Sequence, residues 1–212
     1  MKLRSVFMLV SFLLLLSGCG SIGDRGMTAS VAIDEISKEE VKSAIETGNY
    51  SSIKTLLDDN FSLVDVVSEG NNEQSYIYAT RQFGLEELSP LIERGMKAEQ
   101  VSDIQENKQI FIYSNYILTL QEDQEDPELL LLELASTEFV RNHYTPNYFS
   151  GFFALWLLDD VLDVDDWGKK RTQACKQGNC YGGYYNTDKY RSGDIGSLRG
   201  STTRGGGPGT GK

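Results

Sequence analysis

Gln109-Ile110-Phe111-Ile112-Tyr113-Ser114-Asn115-Tyr116-Ile117-Leu118-Thr119-Leu120, followed by Leu129-Leu130-Leu131-Leu132-Glu133-Leu134-Ala135, decides the fold. Both stretches are rich in branched and aromatic residues, which suit a pleated surface. In the first, Ile110, Ile112, Tyr116, Leu118 and Leu120 alternate and are expected on one face. Between the two lies Glu122-Asp123-Gln124-Glu125-Asp126-Pro127, a charged loop that suits a long antiparallel hairpin. Leu63 to Val67 and Gln74 to Ala79 have the same character and supply further strands.

Helices flank these strands. Ser37 with Glu40 three residues on reads as a capping box, ahead of Val41, Ala44 and Ile45 at helical spacing. Gly48 ends that helix. Ser51 or Ser52 caps a second helix carrying Ile53, Leu56 and Leu57, so the two form a helical hairpin. A single helix pair is no solenoid, which needs about three repeats. A helix from Leu85 to Arg94 separates the strands, with Pro90 weakening its first half. A last helix is expected from Thr145-Pro146 to about Leu162. The fold class is therefore α+β: an antiparallel sheet with an N-terminal helical hairpin and a C-terminal apolar helix, ending in a disordered tail.

The ends of the 212-residue chain differ from its middle. Lys2 and Arg4 precede an apolar run from Val6 to Leu16, then Leu16-Ser17-Gly18-Cys19. This is the layout of a secretory signal peptide, too short for a membrane span, which needs about 20 apolar residues. The tetrapeptide resembles a bacterial lipobox, which implies diacylation of Cys19 and a lipid-bilayer anchor. Residues 1–18 are then the signal peptide, 19–32 a small, polar tether, 33–167 the globular domain and 168–212 the tail.

Charge follows the same division. The signal carries +2, residues 19–167 carry −20 and residues 168–212 carry +7, within a net charge of −11. So acidic a body argues against nucleic acid as a partner, because phosphate binding needs a basic surface. The tail holds 12 of the 21 glycines and four tyrosines, and its composition predicts disorder. Its cations make anionic wall polymer a candidate partner.

Few constellations carry chemistry. Cys175 and Cys180 are spaced to close a small disulfide loop in an oxidising compartment, with a free dithiol as the alternative. Asp159, Asp160, Asp163, Asp165 and Asp166 gather carboxylates at a helix C-terminus and form a candidate cation cluster. They do not follow the calcium-loop pattern, since position twelve from Asp163 is Ala174. The adjacent Lys169-Lys170-Arg171 supplies compensating charge and a candidate partner surface. Tyr148 to Leu158 is apolar almost all round and reads as a buried helix, with Phe152, Phe153 and Trp156 as candidates for contact with an envelope membrane protein. His143, the only histidine, lacks a nucleophile context and reads as a capping or packing residue. Gly206 to Lys212 matches the core of a phosphate loop but has no helix after it. No cofactor and no catalytic residue are expected.

Phe111-Ile112-Tyr113 and a charged loop are followed by Glu138-Phe139-Val140-Arg141-Asn142, Tyr144, Pro146, Gly151, Leu157-Leu158-Asp159-Asp160 and Asp166-Trp167-Gly168. In this order, and with the Gly-Tyr tail, the chain resembles a family of Bacillus-type lipoproteins catalogued as a domain of unknown function. The resemblance covers about residues 55–167 and the tail. It implies a Gram-positive envelope and an extracytoplasmic face, with no established activity. The function expected is that of a membrane-anchored, non-enzymatic accessory or binding protein. A cation-binding sensor and an extracytoplasmic hydrolase are the alternatives.

Overall fold

A tight reversal at Ser114-Asn115 divides the deciding stretch into two strands. In the computed structural model the Tyr113 and Tyr116 backbones bond across it, at 2.9 and 3.4 Å. The structure describes residues 33–186 apart from 71, 124, 125, 177 and 179. Residues 1–32, where the signal peptide, the tether and Cys19 are expected, and residues 187–212 with their phosphate-loop-like ending lie outside the described residues.

Six strands form one open antiparallel sheet: β1 (Ser62–Ser68), β2 (Gln74–Thr80), β3 (Gln100–Val101), β4 (Lys108–Ile112), β5 (Tyr116–Glu122) and β6 (Leu130–Ser136). Their spatial order is β1-β2-β6-β5-β4-β3. Pairing Ile112 with Ile117 and Phe111 with Leu118 fixes which side chains share a face. Ile110, Ile112 and Ile117 point to one side of the sheet, and Phe111, Leu118 and Leu120 to the other. The expected single face of Ile110, Ile112, Tyr116, Leu118 and Leu120 is thus corrected. Alternation runs undisturbed through the sequence, while the two-residue turn exchanges the faces.

Both faces are covered, which explains why β6 is buried along its whole length. Over one face lie α1 (Lys38–Thr47), α2 (Ile53–Asn60) and α3 (Leu85–Gly95). Ser37 and Glu40 cap α1 reciprocally, Gly48 ends it, and Ser52 accepts the Thr55 N–H to start α2. Helix α3 continues through Pro90, whose ring is exposed, because Leu85, Leu88, Leu91 and Ile92 bury the opposite side. Gly95 lets the helices approach closely: a Cβ there would lie 2.5 Å from Ile45 Cγ2.

Over the second face lie α4 (Thr137–His143), a 3-10 turn (Pro146–Phe149), α5 (Leu155–Leu162) and α6 (Trp167–Cys175). Here the sequence reading needs two corrections. The long apolar helix from Thr145 to Leu162 is instead the 3-10 turn and the shorter α5. Gly151, at φ 89°, breaks the chain between them, and Gln105 Nε2 donates to its carbonyl at 2.9 Å. The domain also does not end at Trp167. Residues 168–175 continue α6, and Tyr181 and Tyr184 are buried in the second core. The folded domain, expected to end at Trp167, therefore includes described residues up to Asn186, giving an α+β domain of three layers.

Candidate functional site

Glu133 sits in the middle of β6 with 5% of its surface exposed. Strand register places Asp65, Ile77, Glu133, Thr119 and Ile110 in one cross-strand row facing the second core. A carboxylate so deeply buried must have its lone pairs satisfied, and four segments supply the donors. Ser75 Oγ donates to Oε1 at 3.1 Å and the Tyr144 hydroxyl at 2.7 Å. The Tyr184 backbone N–H donates to Oε2 at 3.1 Å, and the Tyr148 hydroxyl stands 3.5 Å away.

The chain after the cysteines closes this arrangement. Tyr181 forms an isolated parallel bridge with Tyr144, just after α4: its N–H donates to the His143 carbonyl and its carbonyl accepts from Thr145 N–H, both at 2.8 Å. Tyr181 packs edge-on against Phe139 and Tyr144, and the Tyr184 hydroxyl reaches the Asp65 carboxylate at 3.0 Å. Gly183, at φ 91°, fits against Tyr148, where a Cβ would lie 2.4 Å from Cε2.

Electrostatics fix the roles. Burial, helped by the Glu133 charge, holds the hydroxyls of Tyr144, Tyr148 and Tyr181 well above the usual phenol range. They are therefore protonated donors at neutral pH. Lys108 lies over the rings of Tyr148 and Phe152 at 4.2 and 4.5 Å and donates to the Tyr148 carbonyl. Burial pushes its ammonium below the usual lysine range, against the opposing pull of Glu133. The arrangement is chemically a lock, in which one carboxylate ties β2, the α4 end, the 3-10 turn and the segment around Tyr184 together.

The sequence-derived candidates fall elsewhere. Asp159 lies in the last turn of α5 and also ahead of α6. Its carboxylate accepts the N–H groups of Trp167 at 2.9 Å and Asp166 at 3.2 Å, so it caps the next helix. Asp163 and Asp166 take left-handed backbone conformations. Asp160, Asp163 and Asp165 are exposed, and among the described residues no three His, Cys, Asp or Glu side chains gather as a metal site. Asp166 pairs with Lys169 at 2.9 Å, which lowers the Asp166 carboxyl from its ordinary range. Lys170 is exposed, but Arg171 turns inward: Nε donates to the Tyr144 carbonyl at 3.1 Å and Nη2 to Cys180 Sγ at 3.1 Å. Cys175 and Cys180 form a disulfide, with Cα atoms 5.3 Å apart. Phe152 and Phe153 are half-buried, and Trp156 is 68% exposed.

His143 is a clamp. Its Nε2 lies 2.7 Å from Glu73 Oε2, and Asn142 Nδ2 donates to Oε1 at 2.6 Å, which ties α4 to the β1–β2 turn. The hydrogen bond from His143, aided by Asn142, lowers the Glu73 carboxyl below its ordinary range. A carboxyl depressed in the folded state stabilises the fold above its unfolded pKa, and that contribution is lost as pH falls through the folded value. Glu73→Gln is accordingly expected to lower stability at pH 7 and to flatten the loss between about pH 5 and pH 3. Urea unfolding of both proteins across that window measures it. Parallel pH profiles would refute the clamp's contribution.

Glu133 carried one legible signal, as the lone charge within an apolar run from Leu129 to Ala135. No family model, curated protein or solved structure matches this chain.

Proposed function

We propose that this chain is an extracytoplasmic lipoprotein, anchored in the cell membrane through Cys19 and acting as a non-enzymatic accessory or binding protein of the envelope. The observation that carries the reading is Leu16-Ser17-Gly18-Cys19 directly after a basic start and a short apolar run. The Cys175–Cys180 disulfide supports export, since such bonds persist in oxidising compartments. Resemblance to Bacillus-type lipoproteins points the same way.

The outward features suit contact rather than turnover. Trp156 is exposed while Trp167, the other tryptophan, is 1% exposed and donates to the Arg141 carbonyl at 3.0 Å. Trp156, with the half-buried Phe152 and Phe153 close by in the chain, offers a membrane-protein partner an aromatic contact. Lys169 and Lys170 belong to a folded helix, so any adhesion to anionic wall polymer starts from a rigid basic edge.

Metabolic labelling with an alkyne-tagged fatty acid tests the anchor. The wild-type chain is expected to take up label and pellet with membranes through a high-salt wash, because two acyl chains anchor firmly. Cys19→Ala is expected to lose essentially all label. Undiminished labelling of that variant would sink the proposal.

A further inference from the structure

We propose that Cys175–Cys180 is an exchange-active disulfide, in which an external dithiol attacks Cys175 and Cys180 leaves as a thiolate held by Arg171. This chemistry stands independently of anchorage through Cys19. It rests on two asymmetries between sulfurs that are both only half-buried.

The first asymmetry is the cation. Arg171 Nη2 lies 3.1 Å from Cys180 Sγ but 3.9 Å from Cys175 Sγ. Its guanidinium is fixed by the bond from Nε to the Tyr144 carbonyl and stays charged at any physiological pH. A fixed positive charge beside a sulfur favours its thiolate and makes it the better leaving group. The second asymmetry is the helix. Cys175 is the last residue of α6, where the dipole's negative end disfavours a thiolate on that sulfur. Both effects direct attack to Cys175. Lys169, Lys170 and Lys176, all exposed, draw an incoming thiolate to this end of the molecule.

The electrons balance as in ordinary exchange. The external thiolate bonds to Cys175 Sγ as the Cys175–Cys180 bond breaks, and that electron pair stays on Cys180 Sγ beside Arg171. The dithiol's second thiolate then attacks its own sulfur in the mixed disulfide. Cys175 leaves with the electron pair and takes up a proton. The external dithiol is oxidised by two electrons and the cysteine pair reduced by two; the reverse direction reduces an external disulfide. The fold survives the change, because Tyr181 and Tyr184 are held by backbone bonds and burial rather than by the bridge.

The test uses full-length protein extracted from membranes. Oxidised protein is treated with glutathione, quenched in acid and mapped by peptide mass. Reduced protein is alkylated with iodoacetamide across a pH series, and reduction by dithiothreitol is timed. Glutathione is expected on Cys175. Cys180 is expected to alkylate about threefold faster than Cys175 near neutral pH, its larger thiolate fraction partly offset by lower nucleophilicity, with its midpoint at lower pH. Arg171→Gln should shrink that difference to the part the helix end supplies and slow reduction several-fold, and Arg171→Lys, which keeps the charge, should restore part of both. Glutathione on Cys180, equal alkylation profiles, or rates indifferent to the charge at position 171 would overturn the proposal. If both variants misfold, the wild-type trapping site and pH profiles decide alone.

Discussion

Glu133→Ala is expected to destabilise the domain by about 3–9 kcal/mol, since three buried donors lose their acceptor and each such orphan costs about 1–3 kcal/mol. Those donors are the hydroxyls of Ser75 and Tyr144 and the Tyr184 N–H. Against a typical total of about 5–15 kcal/mol, that loss approaches global unfolding. Glu133→Gln retains one acceptor oxygen in the same place and should lose about 1–3 kcal/mol. A double-mutant cycle separates the lock from mere volume. Tyr144→Phe destabilises the wild type, but in the Glu133→Ala background it removes an orphaned donor and should be neutral or stabilising. Additive costs in urea unfolding would show that the carboxylate and the tyrosine act separately.

Truncation after Trp167 should have the larger effect. Deleting residues 168–212 removes the buried aromatic rings of Tyr181 and Tyr184, and losing a buried aromatic ring costs about 3–5 kcal/mol. It also strips Thr145 and His143 of their backbone partners and Glu133 of the Tyr184 N–H. These losses together match or exceed a domain's usual stability, so cooperative unfolding should vanish at physiological temperature. Truncation after Asn186 keeps every one of those contacts and should leave the melting temperature nearly unchanged. Calorimetry of the two truncated chains distinguishes them. Equal melting temperatures would mean that the last segment is not part of the core.

Local signals were readable in the sequence wherever one segment suffices. Ser37 with Glu40, Gly48 and Ser52 set helix ends through bonds within four residues, and the structure has them there. Strand positions near Leu63, Gln74 and Leu130 followed from branched and aromatic content. The Ser114-Asn115 reversal was missed because alternation continues through it in the chain. The helix break at Gly151 was masked by an apolar run that looked continuous. Residues 168–186 were misjudged because their composition merges with the glycine-rich stretch beyond. Their order depends on Glu133, 51 residues before Tyr184, which no local reading connects. For the same reason only the carboxylate of the lock was legible, as the lone charge in its apolar run, because its donors come from four separate segments. The acidic cluster was read in part, since Lys169 does compensate Asp166, but the role of Asp159 was missed. Asp159 lies at a helix end by sequence, yet the chain turns so that it caps the helix that follows.

The proposed export and membrane anchorage of this disulfide-bonded domain are tested most directly by the intact mass of the protein extracted from native membranes. The expected species starts at Cys19, carries a diacylglyceryl group on that sulfur, and gains two alkyl groups only after reduction, at Cys175 and Cys180. A chain that begins elsewhere with Cys19 unmodified, or that alkylates fully without reductant, would contradict it.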